Sequence, residues 1–320
     1  MTIFPTAPNT GGHAKYICSL PRHPRQNHHP SRGREFTSLK EGDEKEFLAR
    51  VIKSLGNHPS DFPEKMRQIA AAPESPSSPR AAGVLLPLVF RRTPAGRAAG
   101  EGEFCFQLIK RSRRVPQPGD LSCPGGVLHP VWDAVLRLLT IYGPFPILRG
   151  AARRHVFNRE RETFRIITLF LTNALRESWE EIRLSPRRVR FLGPLPSYSL
   201  ALFRRTIFPL AGYVDRPGVL RPNGEVERIV EIPLASFYRE DLVGSLSIDA
   251  EDSTEPGGHR ADPLPCLIHR DDAGIEEVLW GATFNIAVRF LEITLDYRLP
   301  EWRKGPAVRR TLSRDYLTGE

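Results

Sequence analysis

The sequence has few cysteines and no long apolar run. Its four cysteines, Cys18, Cys105, Cys123 and Cys266, form no Cys-x-x-Cys pair, which excludes a disulfide framework and the usual zinc-binding spacings. No apolar segment reaches the length of a transmembrane helix, and the N-terminus lacks the basic-then-apolar pattern of a secretory signal. We therefore expect a soluble, cytoplasmic protein whose thiols stay reduced.

Acidic residues are in deficit. With 46 Lys and Arg residues against 37 Asp and Glu residues, the 320-residue chain carries a formal net charge of +9. This charge is compatible with a polyanionic partner such as a nucleotide, a nucleic acid or an anionic membrane. Because the excess is scattered, it is equally compatible with a general bias toward arginine. No RNA-binding motif or aromatic platform accompanies the basic residues, so we expect no nucleic-acid partner.

The chain divides by composition into four segments and contains no internal repeat. Residues 1–36 are rich in Pro, Gly, His and Arg and predict a disordered basic tail. Residues 37–80 predict an N-terminal helix and a linker, 81–298 hold the main domain, and 299–320 form a C-terminal tail. Within the main domain, residues 131–172 predict a helical insertion. With 40% hydrophobic residues, the chain can bury one sizeable core.

Apolar periodicity predicts strands, a long helix, more strands and a final helix, in that order. Ser38 and Glu41 form a capping-box pattern before an apolar stripe, which comprises Phe47, Leu48, Val51, Ile52 and Leu55. Residues 82–90 and 103–111 predict a hairpin, 283–295 the last helix, and 253–263 a loop. Later strands are predicted at VRFLGPLP, FPLAGYV and RIVEIPLASF, and PLPCLIHR and EEVLWGA predict a late hairpin. This order indicates an α/β fold of the α+β kind rather than repeated βαβ units.

The segment NALRESWEEIRL (173–184) concentrates negative charge on a predicted helix. Leu171, Leu175, Trp179 and Ile182 share the face that we expect to meet the core. The opposite side carries Glu177, Glu180 and Glu181, at spacings where like charges repel. A solvated acidic face is one interpretation. The other is a site for a hard divalent cation, since Mg²⁺ and Mn²⁺ prefer carboxylate oxygens.

A glycine-rich turn precedes this helix. Gly125 and Gly126 follow Pro124 and predict a tight turn that exposes backbone amides and carbonyls. Four basic residues stand before the turn and could grip phosphates: Lys110, Arg111, Arg113 and Arg114. An ordinary surface loop could have the same composition. The turn therefore indicates a functional site only when it is considered together with the helix.

Together the two segments resemble the Nudix hydrolase signature, G-x5-E-x7-R-E-U-x-E-E-x-G-U, where U is apolar. RESWEE matches its Arg-Glu-x-x-Glu-Glu core in register, and Gly126 corresponds to its first Gly. The segment LIKRSRRVPQPGDLSCPGG is most similar to the branch of coenzyme A pyrophosphatases, although Gln117 stands where that branch has His. Later pieces similar to that branch follow in the same order, namely LGPLP, FPLAGYV, RPNGEVERIVEIPL and VLWGAT.

The resemblance implies a Nudix α/β/α sandwich with a mixed sheet, and a metal-dependent pyrophosphohydrolase. It implies that Glu177, Glu180 and Glu181 hold Mg²⁺ or Mn²⁺ together with the carbonyl of Gly126 or Gly125. The catalytic residues that the resemblance implies are Glu177, Arg176 and Glu225. Glu177 would help to deprotonate water, Arg176 would form a salt bridge with a carboxylate, and Glu225 would be a further acidic residue. The substrate-binding residues that we expect are Arg111, Gln117 and Gly125.

The resemblance also implies a nucleotide-type small-molecule substrate. Coenzyme A or a derivative would yield 3′-phospho-AMP and 4′-phosphopantetheine. The alternatives are hydrolysis of ADP-ribose or another dinucleotide, and an inactive Nudix domain that binds a nucleotide or a protein.

Three departures from the signature bear on activity. The insertion separates Gly126 from Arg176, and Trp132 falls at the acidic position with Asp133 one step late, where it could substitute. Arg183 replaces the Gly that ends the helix with a left-handed backbone, so we expect the helix to continue to Ser185 before Pro186. Ser178 occupies an apolar position of the signature.

The insertion is an apolar helix that breaks at Gly143 and Pro144, followed by a basic middle and a part that merges with the glutamate helix. It could be a lid, a membrane-surface patch or a contact in a homodimer. A helical hairpin that packs on the sandwich is the interpretation that we favour.

Overall fold

The computed structural model describes most of the chain. The described residues are 39–40, 43–72, 79–92, 101–144, 147–200, 204–215, 218–250, 262–312 and 316. The predicted tail of residues 1–36, the capping box of Ser38 and Glu41, and most of the loop over 253–263 lie outside them.

Six α-helices occur in the described residues. They are α1 (Asp43–Asn57), α2 (Phe62–Ala70), α3 (Pro130–Tyr142), α4 (Gly150–Phe157), α5 (Arg161–Ile182) and α6 (Gly281–Leu295). Helix α2 lies within the stretch that the sequence predicts to be linker. Its Pro63 stands in the first turn, where a missing N–H costs nothing.

Thirteen strands form two sheets in the part of the chain that the structure describes. The first-sheet strands are β1 (Leu39–Lys40), β2 (Arg80–Arg92), β3 (Glu101–Arg111), β4 (Leu121–Ser122), β5 (Gly125–Val127), β6 (Val189–Pro194), β7 (Tyr198–Leu200), β8 (Arg205–Val214) and β9 (Val226–Pro233). The second-sheet strands are β10 (Val243–Ala250), β11 (Leu264–Arg270), β12 (Glu276–Trp280) and β13 (Ala307–Leu312).

Both sheets are mixed. The path of the first is β1-β3-β2-β8-β6, in which β2 and β8 are parallel and the other neighbours antiparallel. The second runs β12-β11-β10-β13, with β10 and β13 parallel. Strand β13 therefore brings residues of the predicted C-terminal tail into a sheet. The mixed α and β architecture without repeated βαβ units is confirmed.

The core lies where α1, α2 and α5 cover the first sheet. The whole predicted stripe of α1 is buried: Phe47, Leu48, Val51, Ile52 and Leu55. Phe170 of α5 stacks on Phe208 of β8 with ring centroids 3.9 Å apart, and Phe62 of α2 packs edge-on against Phe208. Aromatic contacts of this kind bury large apolar areas and fix α5 on the sheet. No helix among the described residues is both long and apolar enough to cross a bilayer.

The insertion folds as helices that join the glutamate helix. Helix α3 ends before Gly143, as its sequence predicts, and α5 continues without a break from Arg161 into the glutamate segment. Polar contacts hold helix α3 against α5, and two of them lie away from the glutamates. The Arg137 Nε donates to Thr168 Oγ1 at 2.6 Å, and Thr172 Oγ1 donates to Thr140 Oγ1 at 2.8 Å. These bonds attach the insertion firmly to the helix that carries the glutamates.

The predicted end of α5 is wrong. The helix does not reach Ser185; it ends at Ile182, and Arg183 adopts the left-handed conformation with φ +57°. The Arg183 N–H still donates to the Trp179 carbonyl at 3.0 Å, and the Arg183 guanidinium lies 5.4 Å from the centroid of the Trp179 ring. An arginine thus takes the backbone geometry usually given to glycine, and the cation–π contact offsets part of its cost of roughly 1–2 kcal/mol.

The predicted orientation of α5 is wrong at two positions. Leu171, Leu175 and Ile182 are buried as predicted, but Trp179 is 44% exposed. Ser178 and Glu181 point inward instead, and the Ser178 hydroxyl donates to the Ala174 carbonyl at 2.6 Å. Small side chains at 174 and 178 let the helix backbone approach the sheet more closely than a tryptophan would.

Candidate functional site

The glycine turn meets the glutamate helix despite the insertion between them. Strand β5 pairs with β2, with Gly126 opposite Gly83 and Gly125 opposite Val84. At this point the Gly125 N–H donates to Glu181 Oε2 at 2.9 Å. A backbone amide and a buried carboxylate that are 56 residues apart in sequence thus form one local structure.

The turn needs a glycine at two positions, at Gly126 because of the glutamate helix and at Gly125 because of strand β2. A Cβ on Gly126 would lie 2.5 Å from Cδ of Glu177, so any side chain there would displace that carboxylate. Gly125 has φ +154°, and a Cβ on it would lie 2.4 Å from the carbonyl oxygen of Gly83. The turn therefore exposes bare backbone to the glutamates, which is the role that the sequence predicts for it.

Asn173 fastens α5 to the two strands beneath it, and the sequence does not predict this role. Its Oδ1 accepts from the Gly83 N–H at 2.7 Å, and its Nδ2 donates to the Val127 carbonyl at 3.2 Å. The side chain is fully buried. A single amide within the apolar run LFLTNAL was the available signal, because a buried polar side chain needs partners.

Replacing Asn173 with Ala should destabilise the protein by about 2–4 kcal/mol, because it leaves two buried backbone groups without partners. Activity should fall as well, since the glycine turn loses an attachment to the helix. Urea unfolding of the Asn173→Ala variant measures the loss. Asn158→Ala, at an exposed helix end, is the matched control. Equal free energies of unfolding for the two variants would contradict this role of Asn173.

Arg176 is the centre of an ion-pair cluster. Its Nε lies 2.8 Å from Asp133 Oδ1, its Nη2 lies 2.9 Å from Glu177 Oε1, and its Nη1 lies 3.1 Å from Glu180 Oε2. Asp133 is fully buried and also accepts from the His129 N–H at 2.7 Å. The structure therefore places Asp133, not the exposed Trp132, against the arginine of the glutamate helix.

Burial shifts the protonation of this cluster. Burial raises the pKa of Glu181 to about 8, and the negative charges of Glu177 and Glu225 add to the increase. The Gly125 N–H and the charge of Arg111 act in the opposite direction. Burial also raises the pKa of Glu177, against the lowering effect of Arg176. Two neighbouring carboxylates with raised pKa values mark a place where a cation or a transferred proton would be stabilised.

The loop that contains Glu225 borders the site. The Asn223 N–H donates to the Glu181 carbonyl at 2.7 Å, and the Ser112 N–H donates to the Glu225 carbonyl at 2.8 Å. Glu225 itself is exposed, and its charge acts on Glu181. The loop thus joins the end of the glutamate helix to the segment that follows Arg111.

The basic segment before the turn has divided roles. The Arg111 Nε donates to the Pro116 carbonyl at 2.7 Å, and the Arg111 charge acts on Glu181. Lys110 is instead engaged with Glu227 and Glu277, at 3.1 Å and 3.0 Å. Gln117 has φ +58°, and its N–H donates to the Tyr316 carbonyl at 3.1 Å. No hydrogen bond in the described residues joins Gln117 to the three glutamates.

The glutamates offer the right donors for a hard divalent cation. Both Glu177 and Glu181 place carboxylate oxygens at the glycine turn, Glu177 directly against Gly126 and Glu181 at the Gly125 N–H. Within the described residues, however, no three His, Cys, Asp or Glu side chains already converge as a metal site. Arg176 draws Glu177 and half-exposed Glu180 to one side, while Gly125 holds Glu181 on the other.

Comparisons with known proteins give a distant likeness. No family model and no curated protein matches the sequence. Among solved structures, a Caenorhabditis elegans Ap4A hydrolase is 14% identical with a TM-score of 0.28, covering 48% of this chain and 80% of its own. A NUDIX hydrolase from Alicyclobacillus acidocaldarius is 14% identical with a TM-score of 0.32, covering 50% and 81%. The Nudix hydrolase RenU from M. smegmatis is 13% identical with a TM-score of 0.27, covering 48% and 71%. Values this low assign no activity to the chain.

Proposed function

We propose that this protein is a Nudix-type pyrophosphohydrolase that cleaves a diphosphate bridge in a nucleotide-type small molecule. The supporting observation is the contact of the glycine turn with the glutamate helix, in which Gly125 donates to Glu181 at 2.9 Å. The long insertion could have separated these two segments. Instead, it packs along α5 and leaves the turn against the carboxylates.

The proposed cofactor is Mg²⁺ or Mn²⁺, which would neutralise diphosphate charge and activate a water molecule when bound. Glu177, Glu180 and Glu181 would supply its carboxylate ligands, with the Gly126 carbonyl beside them. Arg176 would keep Glu177 oriented, since it already contacts Glu177 and the fully buried Asp133. We also assign to Glu177 the role of accepting a proton from the attacking water, a role that its raised pKa favours.

The proposed substrate is coenzyme A or a derivative, cleaved to 3′-phospho-AMP and 4′-phosphopantetheine. Support comes from the similarity of the segment before the turn to coenzyme A pyrophosphatases. Arg111, Gln117 and Gly125 would contact the substrate, and Glu225 would act as a further acid from its bordering loop. Arginine suits a phosphate because its planar group can donate two parallel hydrogen bonds.

A substrate panel tests this proposal. We expect the parent protein to hydrolyse coenzyme A faster than ADP-ribose or NADH when Mg²⁺ or Mn²⁺ is supplied, and to stop with excess EDTA. Glu180→Gln should lose turnover, whereas Glu240→Gln, at an exposed position away from the helix, should keep it. Turnover that Glu180→Gln leaves intact would contradict the metal assignment. Faster cleavage of ADP-ribose than of coenzyme A would support the proposed diphosphate hydrolysis but contradict coenzyme A as the substrate.

A nucleotide-binding domain without activity is the second candidate. It is favoured by one observation, that Glu177 and Glu180 are both tied to Arg176 and no three-ligand group is formed among the described residues. In this case nucleotides would raise the unfolding temperature of the parent, but no product would form with any substrate or metal.

A further inference from the structure

Helix α3 presents an unusually apolar face to solvent. Six large apolar side chains on this 13-residue helix are between 52% and 80% exposed: Val131, Trp132, Val135, Leu138, Leu139 and Tyr142. We name them the α3 face. Single exposed apolar residues are ordinary, but a contiguous set of this size marks an interaction surface.

The α3 face cannot turn inward to bury itself. The opposite side of the helix is fastened to α5 by the bonds of Arg137 to Thr168 and of Thr140 to Thr172. Near its start, the buried Asp133 is paired with Arg176. The helix is therefore fixed with its apolar side outward, and a partner must come from elsewhere.

Positive charge follows the α3 face along the chain. Residues 130–157 contain four arginines and one acidic residue, Asp133, which is buried and paired. Three of these arginines are exposed in the described residues: Arg149, Arg153 and Arg154. No exposed acidic side chain stands on α3 or α4 to oppose them.

Ring contacts connect the basic residues to the apolar helix. The Arg137 guanidinium of α3 lies 5.7 Å from the centroid of the Phe164 ring, and Phe164 packs on Phe157 at 4.7 Å. Phe157 is 43% exposed, and Arg153 lies 5.0 Å from its ring. Phe164 of α5 thus contacts both helices, α3 with its exposed apolar face and α4 with its exposed arginines.

We propose that the α3 face, together with the exposed arginines of the insertion, docks on a lipid bilayer that contains anionic phospholipids. Helix α3 would then lie along the membrane interface. Trp132 and Tyr142 stand at the two ends of the helix, about 15 Å apart along its axis, where interfacial aromatic side chains anchor a helix that lies flat. The arginines would contact anionic headgroups.

A second copy of this chain is the competing occupant. It would cover the apolar side chains equally well, but a two-fold contact would face Arg149, Arg153 and Arg154 toward a surface with no exposed acid on α3 or α4. The charge pattern therefore favours an anionic surface over a copy of the same basic surface. The proposal is independent of the proposed hydrolase activity.

Vesicle sedimentation with the full-length protein tests the proposal. We expect the parent to bind vesicles of phosphatidylcholine mixed with phosphatidylserine, to bind phosphatidylcholine alone much more weakly, and to be released by salt. Trp132→Glu combined with Leu139→Glu should abolish binding. The control combines Val219→Glu with Ile275→Glu. It adds the same negative charge at two exposed apolar residues outside the α3 face, and it should still bind the vesicles. Arg153→Gln should weaken binding roughly fivefold.

Light scattering and unfolding curves complete the test. Because both double variants introduce glutamate only at exposed positions, each should unfold at a urea concentration close to that of the parent. A monomeric parent that binds neither kind of vesicle would overturn the proposal. A parent dimer that the Trp132→Glu and Leu139→Glu changes dissociate, without binding to vesicles, would assign the α3 face to a second copy instead.

Discussion

Glu181→Gln should abolish most diphosphate hydrolysis, with a fall in kcat of about 10²–10³-fold, a magnitude typical of removing one preorganised group at a reacting phosphorus or carbonyl. The same variant should be more stable than the parent at alkaline pH. Glu181 is only 6% exposed and accepts a hydrogen bond from Gly125. Glutamine keeps the shape of the side chain and its accepting oxygen, but it removes a charge that is costly to bury.

The pH dependence of this gain has a defined sign. The pKa of Glu181 is raised from 4.5 to about 8 in the folded protein, so folding retains a proton that the unfolded chain loses. The free energy of unfolding of the parent should therefore decrease as the pH rises from 4.5 to 8, and level off above that.

Urea unfolding in EDTA, below pH 4.5 and above pH 8, tests this expectation. Glu181→Gln should match the parent in acid and exceed it in alkali by on the order of 5 kcal/mol. Glu240→Gln, at an exposed position, should follow the parent throughout. Parallel profiles for the parent and Glu181→Gln would contradict a raised pKa of the buried Glu181 carboxylate.

Arg176→Met should lower the free energy of unfolding by about 3–5 kcal/mol, because it leaves buried carboxylates without their cation. Asp133 has no exposed surface, and Glu177 loses a partner 2.9 Å away. The matched control is Arg161→Met, which replaces an exposed arginine at the first position of the same helix. Denaturant unfolding at neutral pH measures both variants.

A double-mutant cycle isolates the buried pair. Adding Asp133→Asn to Arg176→Met should recover part of the lost stability, because the remaining charge is then removed while the His129 N–H keeps an acceptor. If Arg176→Met costs no more than Arg161→Met, Arg176 is not the centre of the cluster in solution.

The sequence predicted the elements with strong local patterns. The buried stripe of α1, the hairpin of β2 and β3, and the late hairpin of β11 and β12 are all present. The extension of the glutamate helix into the insertion is also present. In each case apolar periodicity or turn chemistry is contained within neighbouring residues, so it can be recognised without tertiary contacts.

Tertiary packing decided what the sequence could not predict. Trp179 continues the helical spacing of the buried Leu171 and Leu175, yet it is exposed, and α5 buries Ser178 and Glu181 instead. Helical spacing defines faces but not which of two adjacent faces turns inward. Likewise, the pairing of Asp133 with Arg176 depends on the packing of α3 along α5, which no local pattern encodes.

Mn²⁺ binding, monitored through the paramagnetic resonance of the free ion, tests directly whether the glycine turn and the glutamate helix together hold a divalent cation, as we propose. We predict that the parent binds Mn²⁺ and that Mg²⁺ competes, while Glu177→Gln and Glu181→Gln each lose binding and Glu240→Gln retains it. Equal Mn²⁺ binding by all four proteins, or no binding by the parent, would show that these residues do not hold the ion.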